Sequence, residues 1–329
     1  MWEGMLPEEI QQKFEWRYEK NPYSDNNIYI YLACNGEQVV GFRAFVVQLF
    51  KLGEVQYKVF NPADAIVDSN YRRMGIFTQL NNLFLNDIQN ISNTIILNTS
   101  ANQFSSPANL KQGWMPMNYI SKFGYQINLR FLLSQTIKLN KNKVKEIETV
   151  IKYKNNGHFV LTNKLHLDAL IELNDINRNK DIITHIRDKA FYQWRYAYKK
   201  QNYCFAYYYK REKLDGYLIL KKLPFGQMLV QEYMFKNLTA FKTLINYCYH
   251  FFNIYILRVR VFSKSEERQL KKLGFFIEPI KLITTLGRVR LPFLVRPTGK
   301  KPTNEDFIIE HQIDLRCSNC WQLNQSAIH

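Results

Sequence analysis

Two arginines and a glycine at the head of an apolar helical pattern are the most chemically pointed residues of this chain. The stretch from Asn61 to Leu80 reads NPADAIVDSNYRRMGIFTQL. Its segment Ala63-Asp64-Ala65-Ile66-Val67-Asp68 predicts a strand, and a short turn follows with Arg72, Arg73, Met74 and Gly75. Ile76, Phe77, Leu80, Leu83, Phe84 and Ile88 then fall on one face of a 3.6-residue period, which predicts a helix. The first turn of a helix leaves backbone N–H groups unpaired at the positive end of the macrodipole. A glycine there lets an anion come close to the main chain, and arginines add charge and forked donors. The pattern suits a phosphate. An exposed basic turn without a ligand has the same composition, so the surrounding organisation has to decide.

That organisation is a repeat. Phe14-Glu15-Trp16-Arg17-Tyr18 returns as Phe191-Tyr192-Gln193-Trp194-Arg195-Tyr196, and each copy is followed by a polar turn. IYIYLACNGEQVVGFRAFVV and YCFAYYYKREKLDGYLILKK then each read as strand, turn, strand, with Gly41 and Gly216 at matching places. Leu110-Lys111-Gln112-Gly113-Trp114 is echoed by Lys272-Leu273-Gly274-Phe275. Three landmarks in one order define two similar halves. The expected division is 1–136 for the first, 137–158 as a lysine-rich connector, 159–296 for the second and 297–329 as a tail. The first half has fewer residues ahead of its tryptophan, so it lacks an opening strand and helix or borrows them. The second half repeats no phosphate turn: Gln231 to Phe241 has neither arginine nor glycine. Repetition of Trp16, Arg17, Trp194 and Arg195 in a half without the turn points to packing and internal pairing.

Composition bounds the rest. The 329 residues, 46% hydrophobic and 15% aromatic, supply two cores. No apolar run reaches the roughly 18 residues a membrane helix needs. The N-terminus lacks a signal-peptide pattern, so a cytoplasmic location is expected. Five scattered cysteines argue against a disulfide framework. Cys317 and Cys320 form one C-x-x-C pair without a second, so no metal is expected. The net charge of +17 fits phosphate-rich ligands, and an anionic membrane surface is a further candidate partner. No nucleic-acid-binding motif is present.

The turn Arg72-Arg73-Met74-Gly75-Ile76-Phe77 resembles the pyrophosphate loop of the GNAT superfamily of acyl-CoA N-acyltransferases, Arg/Gln-x-x-Gly-x-Gly/Ala, departing at Phe77. The Gly-Ile-Phe variant is similar to that of tandem GNAT proteins associated with surface-polysaccharide genes. Strand patterns 28–34, 39–47 and 94–98 sit where the family's second, third and fifth strands belong. The resemblance implies an α/β (α+β) fold of two GNAT-like domains, each a twisted mixed sheet flanked by helices. It implies acetyl-CoA or another acyl-CoA as donor, held by Ile66, Val67, Asp68, Arg72, Arg73, Met74, Gly75, Ile76 and Phe77. The acceptor would be a small-molecule or sugar-linked amine. Asp64 is the candidate base, its carboxylate raised in pKa by apolar neighbours. Asn98 and Ser100 would hold a water or the thioester carbonyl, and Tyr119 or Tyr125 would return a proton to the thiolate. Two rivals remain. Fem-type aminoacyl-tRNA-dependent transferases also have two GNAT-like halves, and a scaffold with a decayed site is possible on the same residues. Oligomeric state is open.

Overall fold

β-branched and aromatic residues are dense along 38–52 and 55–67, and the hairpin they form is the spine of the structure. A computed structural model describes residues 4–128, 149–154, 157–224, 226–252, 254–280, 290–299 and 301–327. The strands are β1 (Ile30–Asn35), β2 (Gln38–Leu52), β3 (Val55–Val67), β4 (Thr94–Asn98), β5 (Met115–Pro116), β6 (Lys122–Ile127), β7 (Val150–Lys154), β8 (Gly157–Thr162) and β9 (Ile183–His185). They continue as β10 (Tyr203–Lys210), β11 (Lys213–Leu223), β12 (Gln227–Phe235), β13 (Ile256–Val261), β14 (Phe276–Ile277), β15 (Leu294–Pro297), β16 (Ile308–Ile309), β17 (Ile313–Asp314) and β18 (Trp321–Gln322). The helices are α1 (Pro7–Phe14), α2 (Ile76–Ile88), α3 (Ser106–Lys111), α4 (Leu167–Ile176), α5 (Lys189–Arg195), α6 (Leu238–Phe252) and α7 (Lys264–Lys272).

Two mixed sheets result. The first runs β18-β9-β2-β3-β4-β15-β5, with β1 also paired to β2; the second runs β14-β6-β13-β12-β11-β10-β8-β7. They interleave the sequence. β6 lies between β13 and β14 of the second sheet, and β15 lies between β4 and β5 of the first. The short first half is completed by borrowing: β9 joins the end of β2, and β18 joins β9. Of the connector at 137–158, residues 137–148, 155 and 156 lie outside the described residues, and 150–154 forms edge strand β7. The tail packs back: Phe307, Leu315, Trp321 and Leu323 cover Phe50, Leu52, Tyr57 and Val59 of the first hairpin.

The sequence repeat reappears as matched strand pairs. In the β2–β3 pair Gly41 faces Val67 and Ala44 faces Asp64, then the register slips so that Phe45 faces Pro62. In the β11–β12 pair Gly216 faces Phe235 and Ile219 faces Glu232, then Leu220 faces Val230. Each half therefore carries a bulge at the same place, with Ala63 or Gln231 as the extra residue. Pro62 is tolerated in a central strand because it sits at that irregularity. Asp64 and Glu232 are structural counterparts.

The halves are tied by their tryptophans. The Trp16 indole donates to the Trp194 carbonyl at 2.8 Å, and the Trp194 indole donates to the Trp16 carbonyl at 2.6 Å. The two rings stack with centroids 5.7 Å apart, and Tyr198 stacks on the other side of Trp16 at 5.0 Å. Reciprocal bonds between equivalent residues are the signature of a two-fold relation between the halves.

Candidate functional site

The segment 66–77 passes from sheet to helix, as the apolar pattern predicts. β3 ends at Val67, a short 3-10 turn covers Ser69–Tyr71, and α2 starts at Ile76. Asp68 caps the short turn by accepting the Asn70 amide at 2.9 Å. Arg73 and Gly75 both have positive φ, 68° and 79°. Gly75 is the N-cap of α2 and supplies no side chain to cap it. Among the described residues the amides of 73–78 make no hydrogen bond within the chain. Arg72, Arg73, Met74 and Gly75 are exposed. Six free amides at a helix head beside two exposed arginines form a cradle for an anion.

Two residues support that turn from below. A Cβ on Gly41 would come within 2.6 Å of Ile76, so only glycine lets the head of α2 seat on β2. Buried Arg43 donates to Asn81 of α2 at 2.9 Å, and its guanidinium lies 5.0 Å from the Phe77 ring. Burial pushes its pKa down to about 10. Phe77, the departure from the small residue of the GNAT pattern, thus turns inward onto Arg43 rather than covering the amides. Nothing in the sequence marked Arg43.

Beside the turn the sheet opens. β3 and β4 are paired from Lys58–Thr94 to Phe60–Ile96 and no further, although both strands continue. The gap is closed at its apex by Asn61 donating to Thr99 at 2.9 Å and Ser100 donating to the Pro62 carbonyl at 3.1 Å. Asn98 is buried there, and its Oδ1 accepts the Ser100 amide at 3.0 Å. Its amide nitrogen has no partner among the described residues. Residues 63–67 of β3 therefore border an opening that runs toward the Gly75 turn.

Asp64 lies on this free segment. One oxygen, Oδ2, takes the Arg17 guanidinium at 2.7 Å and the Tyr18 hydroxyl. The other, Oδ1, has no partner among the described residues. The apolar setting expected for Asp64 is therefore corrected: a cation and a phenol offset its burial. Burial, and then the Asp64 charge, push the Tyr18 phenol far above its ordinary range. The Arg17-Tyr18 pair of the repeat is thus the holder of the candidate base, which the repeat alone did not show.

Tyr119 and Tyr125 are placed elsewhere. Tyr119 packs in the second core and donates to Glu267 at 2.9 Å, while Tyr125 sits on exchanged strand β6 and donates to Glu278 at 3.2 Å. Both hydroxyls are thus committed to carboxylates of the second half.

The second half builds a different interior around Glu232. This carboxylate is fully buried and accepts from Tyr192 at 2.5 Å, Tyr217 at 2.6 Å, Ser326 at 3.0 Å, and Arg187 and Tyr196 at 3.2 Å. Burial opposes the Arg187 charge, but Tyr217 and Glu232 outweigh it and raise its pKa. Every acceptor site of Glu232 is occupied.

Comparison with known proteins bears on fold. No protein-family model and no curated protein matches the sequence. Solved structures do. A conserved Enterococcus faecalis protein of unknown function, described as a probable N-acyltransferase, superposes with a TM-score of 0.62 at 16% identity, over 92% of this chain and 69% of its own. A GCN5-related N-acetyltransferase from Anabaena variabilis gives 0.52 at 13% identity, over 88% and 71%. Another from Kribbella flavida gives 0.51 at 10% identity, over 81% and 59%. The fold is that of GNAT-type N-acyltransferase structures, as the phosphate-turn resemblance implies. No described helix is long and apolar enough to cross a membrane.

Proposed function

We propose that this chain is an acyl-CoA-dependent N-acyltransferase whose donor binds the first half. The observation that carries this reading is the uncapped head of α2, with free amides at 73–78, opening onto a strand that has left its neighbour. The residues for the diphosphate are Arg72, Arg73, Met74, Gly75, Ile76 and Phe77, and the arm would follow Ile66, Val67 and Asp68. Acyl-CoA supplies an activated thioester. The amine nitrogen forms a bond to the acyl carbon as the carbon–sulfur bond breaks, and CoA leaves as its thiolate, which takes up the second proton the nitrogen sheds. Asp64 takes the ammonium proton through Oδ1, while Arg17 and Tyr18 hold the carboxylate in place. The Asn98 amide nitrogen, without a partner among the described residues, is the donor for the thioester carbonyl. In its most particular form the acceptor is an amino sugar of a surface-polysaccharide precursor.

Titration calorimetry with acetyl-CoA tests the donor. Wild type should bind, and Gly75→Glu should not, because it sets a carboxylate where phosphate belongs. Gly75→Ala keeps the space, since only Gln79 comes within 3.8 Å, and should weaken binding only through backbone strain of about 1 kcal/mol. Equal affinities of wild type and Gly75→Glu would overturn the assignment.

A further inference from the structure

The acceptor side of Asp64 carries its own charge pattern. Glu9 and Lys13 are four residues apart on one face of α1, and Arg17 follows in the π-helical turn Glu15–Glu19. Arg17 binds Asp64 at 2.7 Å, and Glu9 binds Lys199 of the second half at 3.0 Å, so Lys13 is bracketed between them. From across the junction come Arg195, whose guanidinium lies 5.6 Å from the Trp16 ring, and Lys221 of β11, paired with Tyr203. Among the described residues, Lys13, Arg17, Arg195, Lys199 and Lys221 thus gather here with the carboxylates Asp64 and Glu9. Lys221 is half-buried, and its ammonium makes no hydrogen bond or ion pair among the described residues. Burial and then Arg17 press the Lys13 ammonium below its ordinary range, and burial, Arg195 and Lys199 do the same to Lys221. Like charges are held together here with part of their water removed, an arrangement that an incoming anion relieves.

The donor's phosphates do not account for the cluster. Asp64 stands four residues before Asp68, about 13 Å along the strand from the phosphate turn. The cluster is therefore at the reacting end of the opening. We propose that the acceptor amine bears an oxyanion, phosphate or carboxylate, received by Lys13, Lys199 and Lys221 at the junction of the halves, beside Asp64. This rests on the acyltransferase reading for its acceptor, but the anion site stands on its own side chains.

The test is calorimetric titration of O-phosphoethanolamine and of ethanolamine into the full chain saturated with CoA. The phosphate-bearing amine should bind at least about tenfold more tightly, the worth of one charge-assisted hydrogen bond. Lys13→Gln/Lys221→Gln should erase that difference while leaving CoA affinity and circular dichroism unchanged. Lys221→Gln alone should halve it on a logarithmic scale, a check if the double variant misfolds. Equal binding of the two amines by wild type, or discrimination that survives in the double variant, overturns the proposal. Absence of CoA binding would instead sink the donor reading, and the same titration without CoA would then decide the anion site.

Discussion

The two strand-to-helix turns of this molecule have one frame and opposite endings. Ahead of α2, Gly75 leaves the helix head uncapped, and Arg72 and Arg73 stand exposed beside it. Ahead of α6, the Asn237 side chain accepts the Ala240 amide at 2.9 Å and closes the head. Asp215 adds a negative charge there, accepting from Asn237 at 3.4 Å and lying 3.9 Å from Lys236. An anion approaching the second turn meets a side-chain-capped helix head and an acid. The strands around both turns keep the same register and the same bulge. A ligand site of this kind is thus set by a few residues at a helix head, while the sheet that presents it stays constant.

The paired carboxylates sharpen the contrast most. Asp64→Asn should lower the acyl-transfer rate by about 10²–10⁴-fold with CoA affinity unchanged, measured by steady-state turnover and calorimetry. Glu232→Gln should leave CoA affinity alone and instead remove roughly 3–5 kcal/mol of stability, because Arg187 stays buried without its counter-charge; urea unfolding measures this. A turnover defect from Glu232→Gln equal to that from Asp64→Asn would erase the distinction between the halves.

A second stability effect belongs to α7. Glu266 is raised to about 7 by burial, against the hydrogen bonds from Tyr233 and the Phe262 amide, both at 2.7 Å. Its folded pKa lies above the unfolded value, so the folded protein binds the extra proton. The resulting stabilisation is complete below about 4.5 and is lost as pH rises to about 7. Relative to Glu266→Gln, wild type should lose up to roughly 3 kcal/mol across that window, read as a change in the difference of their melting temperatures. The smallest effect is at the closed turn: Asn237→Ala should cost about 1 kcal/mol in thermal unfolding and leave CoA binding unaltered.

Local chemistry was legible in the sequence where it needed only neighbours. The Gly75 turn declares itself because a helix head, a glycine and two arginines are contiguous. The tryptophan repeat also survives translation into structure. What escaped depends on distant pairing. β6 and β15 each join the sheet of the other half, and nothing within either segment says so; Tyr125, expected beside the thiolate, lies instead against Glu278. Asp64 and Glu232 are equivalent only through register: the first hairpin is longer, and the two residues differ in type, so no alignment by spacing joins them. Arg43 looked like one more polar residue in an alternating strand because its partner, Asn81, lies on another element.

The exchange of β6 for β15 also governs how the molecule can be divided. Each sheet holds, away from its hairpin, a strand encoded in the other half, so a cut between the halves removes an inner piece from both. Neither gene fragment should yield an independently folding product, and the two should unfold as one cooperative unit. Under that constraint the second half, whose own turn is capped and acidic, stays indispensable to the sheet that presents the first turn.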